Sequence, residues 1–252
     1  GDYFISENLN LYNKYKAPLL CGKLPIDCRS KFAFRLMTNE EFRPVKYGLP
    51  DSFLDNELDY ITIKLNRSMN RIKATSNSAF NFILHHSNSI VLRKNLNHTR
   101  FVSSSCNGFI GQIVLLNPQL DYIDEAILAE SLLHETIHSF LLKSEIITPI
   151  LNIESPLPIV KSPWSGLDLH YHSLIGACFV WYGLLCFWIH AEKNNTFDSI
   201  RIQSLLNRTI RGFIDKKFLK DVDLYRKYLS PNVHYQLHKI ADHANKMILA
   251  YL

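Results

Sequence analysis

The chain has 252 residues, of which 47% are hydrophobic, and a formal net charge of +5 at pH 7. This length suits one large domain or two small ones, and the hydrophobic share is that of an ordinary globular protein. The basic residues are scattered and do not form the runs of positive charge that track a phosphate backbone. Composition therefore gives no indication of nucleic-acid binding.

The cysteines number five, an odd count, and include no Cys-x-x-Cys pair, which argues against a disulfide scaffold and a zinc knuckle. The first residues, GDYF, lack the basic start and apolar stretch of a secretory signal. We therefore expect a cytoplasmic protein. Residues 174–189 are apolar but fall short of the roughly 18–20 residues that cross a bilayer, so we predict a buried helix there and no membrane association.

The first elements in chain order are a loop region and a helix. Prolines punctuate residues 1–55 around a short helix that Thr38 and Glu41 would begin as a capping box. A half-buried helix is predicted over residues 53–75, where the apolar residues recur at helical spacing: Leu54, Leu58, Ile61 and Leu65.

A change of pattern from about residue 80 predicts a small sheet, with β-prone runs at 89–93, 100–103 and 109–116. Asn117 and Pro118 end the last of these runs. A long helix then runs to about Lys143, and its N-terminal turn is acidic, with Asp121, Asp124 and Glu125.

The remainder of the chain is predicted as a loop over residues 147–168, the apolar helix over 171–191, and mainly helix to the C-terminus. This order indicates an α+β fold of zincin-like type. We expect a mixed lobe, residues 1–146, with the sheet and the long helix, packed on a mainly helical lobe, residues 147–252, that carries the third metal ligand.

The segment His134-Glu-Thr-Ile-His138 matches the HExxH pattern and lies inside the predicted long helix. Histidines four residues apart project from one helix face, so both imidazoles can reach one divalent ion, and Glu135 can reach a metal-bound water as a catalytic group. Such a short pattern also occurs by chance. Here the flanking helix is mostly apolar, so its three polar side chains would be buried without partners unless they bind something.

Two histidines leave an ion underligated, and a third ligand should come from later in the chain. Candidates are Glu145, Glu154, Asp168, His170 and His172. We favour His172 because it would occupy the first turn of the apolar helix, with His170 and Asp168 next.

Two other histidine pairs, His234 with His238 and His85 with His86, are interpreted as structural. The first pair also has i, i+4 spacing, but it lacks the adjacent acid and lies in an ordinary amphipathic helix. The histidines of the second pair are adjacent in sequence, so their side chains cannot point in the same direction.

Two segments carry a resemblance to a known family: Ser162-Pro-Trp-Ser-Gly166 and Ala177-Cys-Phe-Val-Trp-Tyr-Gly-Leu184. Together with the preceding HETIHS, they resemble the HExxH-motif peptide-modification proteins encoded beside ribosomally made peptide natural products. The resemblance covers roughly residues 105–190. This chain departs from it at Gly176, where similar sequences carry a histidine; His172 lies one helical turn earlier on the same face.

The resemblance implies a peptide β-hydroxylase that uses iron(II) and 2-oxoglutarate on a zincin-like fold, acting on a precursor peptide, with His134, His138 and His172 as ligands. The distal carboxylate of 2-oxoglutarate needs a basic or hydroxyl partner, and Lys161, Arg208 and Arg211 are candidates that spacing does not separate. Ligand types alone equally suit a zinc metallopeptidase with Glu135 as general base, or a non-catalytic binding module.

Overall fold

The computed structural model describes residues 17–28, 33, 51–105, 107–152 and 157–251, and the predicted capping box of Thr38 and Glu41 lies outside these ranges. The fold is α+β, as predicted. The described residues up to Lys73, with Asn77–Ser139, form one compact unit, which we call the sheet unit. Ala74–Ser76, with the described residues from Phe140 onward, form a second, the helical unit.

Among the described residues, the sheet unit contains five strands in the order β1-β2-β3-β5-β4. Strands β2, β3 and β5 run parallel, and β1 and β4 pair antiparallel at the two edges. The strands are β1 (Leu19–Leu20), β2 (Leu24–Asp27), β3 (Ser89–Arg93), β4 (Val102–Ser105) and β5 (Gln112–Leu116).

The predicted runs at 89–93 and 109–116 contain β3 and β5, which read as continuous apolar runs because parallel strands are buried on both faces. Strand β4 begins two residues later than the predicted run at 100–103. The sequence does not predict strands β1 and β2, since both are short and Pro25, which normally interrupts a strand, lies inside β2.

Strand register separates the two faces of the sheet at β4. Ser103 pairs with Leu115 and Ser105 with Ile113, so these four side chains share a face, because directly opposite residues point the same way. Val102 and Ser104 point to the other face, where Val102 packs on a buried apolar cluster that contains Ala33, Val91, Val114 and Leu116. The serines of β4 therefore alternate between two environments.

Three helices accompany the sheet in sequence: α1 (Asp55–Thr75), α2 (Asn77–His86) and α3 (Glu125–Glu145). The predicted helix over 53–75 is confirmed for Asp55–Thr75, with Ile61 and Leu65 fully buried. Leu54, expected on the buried face, precedes the helix and is 64% exposed. Helix α2 was not predicted. The predicted start of the long helix is confirmed, because the Asp124 carboxylate accepts a hydrogen bond from the Ile127 amide at 2.9 Å, which caps the N-terminus of α3.

After α3, the helical unit continues with a hairpin of β6 (Ile159–Lys161) and β7 (Asp168–His170), so the predicted loop over 147–168 is wrong from Ile159 onward. The Ser162 amide donates to the Leu167 carbonyl at 2.8 Å, and Gly166 takes a φ of +70°, which closes the turn. The helices that follow are α4 (Tyr171–Lys193), α5 (Ser199–Ile210), α6 (Lys217–Leu224) and α7 (Pro231–Tyr251).

Helix α4 is the predicted apolar helix, and within the described chain it is long and apolar enough to cross a membrane by length and composition alone. More than half of its most apolar window, 56%, is buried inside the protein, and it contacts α5 and α7. The predicted buried helix is confirmed.

Trp164 organises the interior of the helical unit and is 3% exposed. Its indole N–H donates to the Thr209 carbonyl at 2.9 Å, and its ring stacks on Trp181 with centroids 5.9 Å apart. Phe213 meets it edge-on at 5.1 Å. Gly212 lies directly against the indole: a Cβ there would be 2.1 Å from Trp164 Cε2.

We expect Gly212→Ala to lower the free energy of unfolding by about 1–3 kcal/mol or more, because the new methyl must displace an indole held by a hydrogen bond and two aromatic neighbours. Urea denaturation followed by tryptophan fluorescence measures this. The exposed Ser204→Ala on α5 is the control and should change stability by less than about 0.5 kcal/mol. An equal effect of the two substitutions would contradict the packing described.

Candidate metal centre

His134 and His138 lie on α3, one turn apart, so the predicted helical placement of the motif is confirmed. Their ring centroids are 4.9 Å apart and their planes are inclined at 58°. Both side chains are half-buried, whereas the residues between and around them are mostly buried. The helix therefore presents two neighbouring imidazoles on one face, as a shared ion requires.

Glu135 points away from solvent and is 3% exposed. The Ser103 hydroxyl donates to its Oε1 at 2.7 Å, and the Ser105 hydroxyl and amide also hydrogen-bond to the carboxylate. Burial raises the pKa of the Glu135 carboxyl above its usual range, while the His138 charge and the serine hydrogen bonds act in the opposite direction. Glu135 thus fastens α3 to edge strand β4.

These contacts correct the expectation that the three polar side chains of the motif are buried without partners unless they bind something. Glu135 is buried, but β4 supplies its donors. His134 and His138 are half-buried. The case for a metal therefore rests on the two imidazoles and their spacing, since the glutamate has partners within the protein.

His172, the favoured third ligand, lies in the first turn of α4, as predicted. Its Nε2 donates to Oε2 of Glu145, another candidate, at 2.8 Å within the helical unit. This hydrogen bond raises the pKa of the His172 imidazole, against the opposite effect of burial. Two candidates for the third metal ligand, His172 and Glu145, are therefore hydrogen-bonded to each other.

The other candidates for the third ligand are placed differently. Asp168 and His170 are exposed on β7, where they lie two residues apart. The His170 side chain makes no hydrogen bond that caps α4. Glu154 lies outside the described residues.

The structure places two of the three basic residues that were candidates to bind the distal carboxylate of 2-oxoglutarate in one cavity. Lys161 and Arg211 line a cavity of about 430 Å³ in the helical unit, which Lys217 and Asp221 also line, along with the turn at residues 162–166. Arg208 instead places its guanidinium 5.6 Å from the centre of the Trp181 ring. The cavity has the charge to hold a small carboxylate.

The histidine pair of α7, His234 and His238, has an acidic partner that sequence reasoning missed. Asp223, on α6, accepts a hydrogen bond from both imidazoles. No spacing signal identifies such a residue, because it comes from a different helix. His85, by contrast, bonds the Asn81 carbonyl, and the His86 ring lies 4.6 Å from that of Phe82.

The two segments that carry the family resemblance meet in the helical unit. Trp164 belongs to the first segment and Trp181 to the second, and their rings are nearly parallel, at 9°. Cys178 of the second segment is fully buried, and burial raises the pKa of its thiol. These residues act in packing; Gly176, where similar sequences carry a histidine, is half-buried on α4.

The donor set on α3 fits a divalent transition metal, since two imidazoles at i, i+4 are ligands for zinc and iron alike. Comparison of the chain with models of protein families finds no match, and comparison with curated proteins finds no match either.

We expect Ser103→Ala to lower the free energy of unfolding of the metal-free protein by about 1–3 kcal/mol, because a buried carboxylate loses a donor. Ser104→Ala is the matched control on the same strand: within the described residues, its buried hydroxyl has no hydrogen-bond partner. That substitution should be neutral or slightly stabilising. Urea denaturation in the presence of a chelator measures both, and equal losses would show that the Glu135 contact contributes nothing.

Proposed function

We propose that the chain is a metal-dependent enzyme that hydroxylates a side-chain β-carbon of a ribosomally synthesised precursor peptide, using iron(II) and 2-oxoglutarate in the cytoplasm. The observation that carries the proposal is the pair of half-buried imidazoles, His134 and His138, with centroids 4.9 Å apart on one face of α3. The reaction class rests on the resemblance of residues 105–190 to HExxH peptide-modification proteins.

The proposed ligands are His134, His138 and His172. A ligating histidine commonly donates its other ring N–H to a carboxylate, which fixes the tautomer and the ring orientation. The hydrogen bond from His172 Nε2 to Glu145 has this form and leaves Nδ1 as the proposed ligand atom. Glu145 would then be a positioning residue.

Glu135 has a different proposed role in each reaction. In a zinc metallopeptidase it would take a proton from a metal-bound water as general base. An ionised carboxylate has about four lone-pair sites, and donors from Ser103 and Ser105 already occupy three of them. This occupancy favours a positioning role, in which Glu135 holds the histidine-bearing face of α3 fixed against β4, and so supports the hydroxylase over the peptidase.

A peptide substrate is supported by the position of β4 in its sheet. Among the strands that the structure describes, β4 is at one end of the order, next to β5, and its Ser103 donates a hydrogen bond to Glu135 of the motif helix. An edge strand presents backbone donors and acceptors with which an extended peptide can pair. An extended substrate segment bound there would lie along the strand to which the motif is attached.

Iron bound to the three histidines would supply oxygen activation, with 2-oxoglutarate as the co-substrate that is oxidised in the same turnover. The protein's side chains would hold the three histidines in one orientation, keep Glu135 away from water, and bind the anionic co-substrate. Lys161 and Arg211, which line one cavity, are the proposed basic residues for that anion.

The ligand assignment predicts the effect of single substitutions on metal binding. His134→Ala and His138→Ala should each lower the number of iron ions bound by about one per chain, because two remaining ligands bind weakly. His172→Ala should weaken iron binding strongly, and Glu145→Gln by about 10–100-fold. His170→Ala is the control and should leave iron binding unchanged. Metal analysis after desalting gives the count; a larger effect at His170 than at His172 would transfer the third position to His170.

The reaction class is tested on the intact mass of the peptide. Iron-loaded enzyme should add one oxygen atom, roughly 16 Da, per event to the precursor peptide only when 2-oxoglutarate and dioxygen are present, with release of succinate. A zinc hydrolase would instead split the chain and lose nearly all activity in Glu135→Gln. Mass spectrometry of the peptide, with and without 2-oxoglutarate, separates the two reactions. Fragments formed with zinc alone would refute the hydroxylase and establish the peptidase.

A further inference from the structure

A second group of metal-ligand side chains lies in the helical unit, where α6 meets α7. Asp223 is the second-last residue of α6, and His234 and His238 are one turn apart near the start of α7. Both histidines place Nε2 on the same carboxylate oxygen, Asp223 Oδ1, at 2.9 Å and 2.8 Å. Among the described residues, this is the group of three whose ligand atoms all lie within 4.8 Å of one another.

The geometry of the group is close to that of a tetrahedral metal site. Zinc binds imidazole nitrogen at about 2.0–2.1 Å and carboxylate oxygen at about 2.0–2.2 Å, so its ligand atoms are about 3.4 Å apart. The two nitrogen–oxygen contacts would have to open by only about half an ångström from their present lengths. The histidine rings already converge, with centroids 4.7 Å apart.

Because the group is partly exposed to solvent, there is room for a fourth ligand to a bound metal ion. The side chains of Asp223, His238 and His234 are 52%, 40% and 15% exposed. A water molecule can therefore complete a tetrahedron from the solvent side, while the less exposed His234 fixes the inner side. Carboxylate and imidazole, without thiolate, suit a borderline divalent ion.

We propose that Asp223, His234 and His238 bind a zinc ion that joins α6 to α7. Helix α6 has eight residues, a length at which an isolated helix is marginal, so its position depends on contacts with its neighbours. An ion shared between Asp223 and the two histidines replaces two hydrogen bonds by three coordinate bonds at the C-terminal end of that helix. The ion is structural in this proposal and independent of the reaction at His134 and His138.

The test uses the full chain carrying His134→Ala and His138→Ala, so that the motif cannot contribute. After treatment with a chelator, this protein should bind about one zinc per chain in calorimetric titration. Its Tm should rise by roughly 5–10 °C at a hundredfold excess of zinc over Kd. Cobalt(II) in place of zinc should give the visible absorption of a four-coordinate site. Failure of the double variant to bind zinc, with its circular dichroism unchanged, overturns the proposal and leaves the motif assignment untouched.

Further substitutions in that background assign the ligands. Asp223→Asn, His234→Ala and His238→Ala should each abolish zinc binding and the rise in Tm. His243→Ala is the matched control on the same helix, since His243 Nδ1 contacts the Tyr182 hydroxyl at 2.7 Å instead. This variant should bind zinc as before. Equal zinc binding by all four variants would show that Asp223 holds the two histidines by hydrogen bonds alone.

Discussion

The structure around the motif depends on a buried carboxylate. Glu135 lies in the interior of the sheet unit, where an ionised group without partners would cost several kcal/mol, and the serines on one face of β4 supply its donors. Because α3 cannot rotate without removing Glu135 from these donors, the direction of His134 and His138 is fixed by the contact that Glu135, their neighbour in the motif, makes with β4. The edge strand and the motif helix therefore form one positioned element.

Sequence patterns were sufficient for the long elements and for the motif. Helix α1 has apolar periodicity, α3 has the capping Asp124, and α4 is a long apolar run; Asn117 follows β5 with a φ of +56° that the residue tolerates. The patterns failed for the short elements: α2, the β1–β2 pair and the β6–β7 hairpin. Strand β2 has only four residues and is held by pairing with β3, which is distant in sequence. Local propensity carries little information about such segments.

The same limit applies to the side chains of the candidate sites. His134 and His138 could be paired from their spacing because one helix carries both. The partners of Glu135, His172 and His234 could not, since Ser103, Glu145 and Asp223 come from other elements. A glutamate in an apolar helix indicates that a partner exists, yet only the register of β4 identifies it as Ser103 and Ser105.

The parallel pairing of β2 with β3 has a consequence for the order of folding. Ile26 pairs with Ile90 across α1 and α2, so this contact closes a long loop and carries a large entropic cost. Strands β3, β4 and β5 and helix α3 follow one another closely in sequence, and the contact between Ser103 and Glu135 closes a much shorter loop. We expect this later segment to nucleate the sheet unit, with β1 and β2 added in a slower step, so that the histidine-bearing face is oriented before the far edge of the sheet is complete.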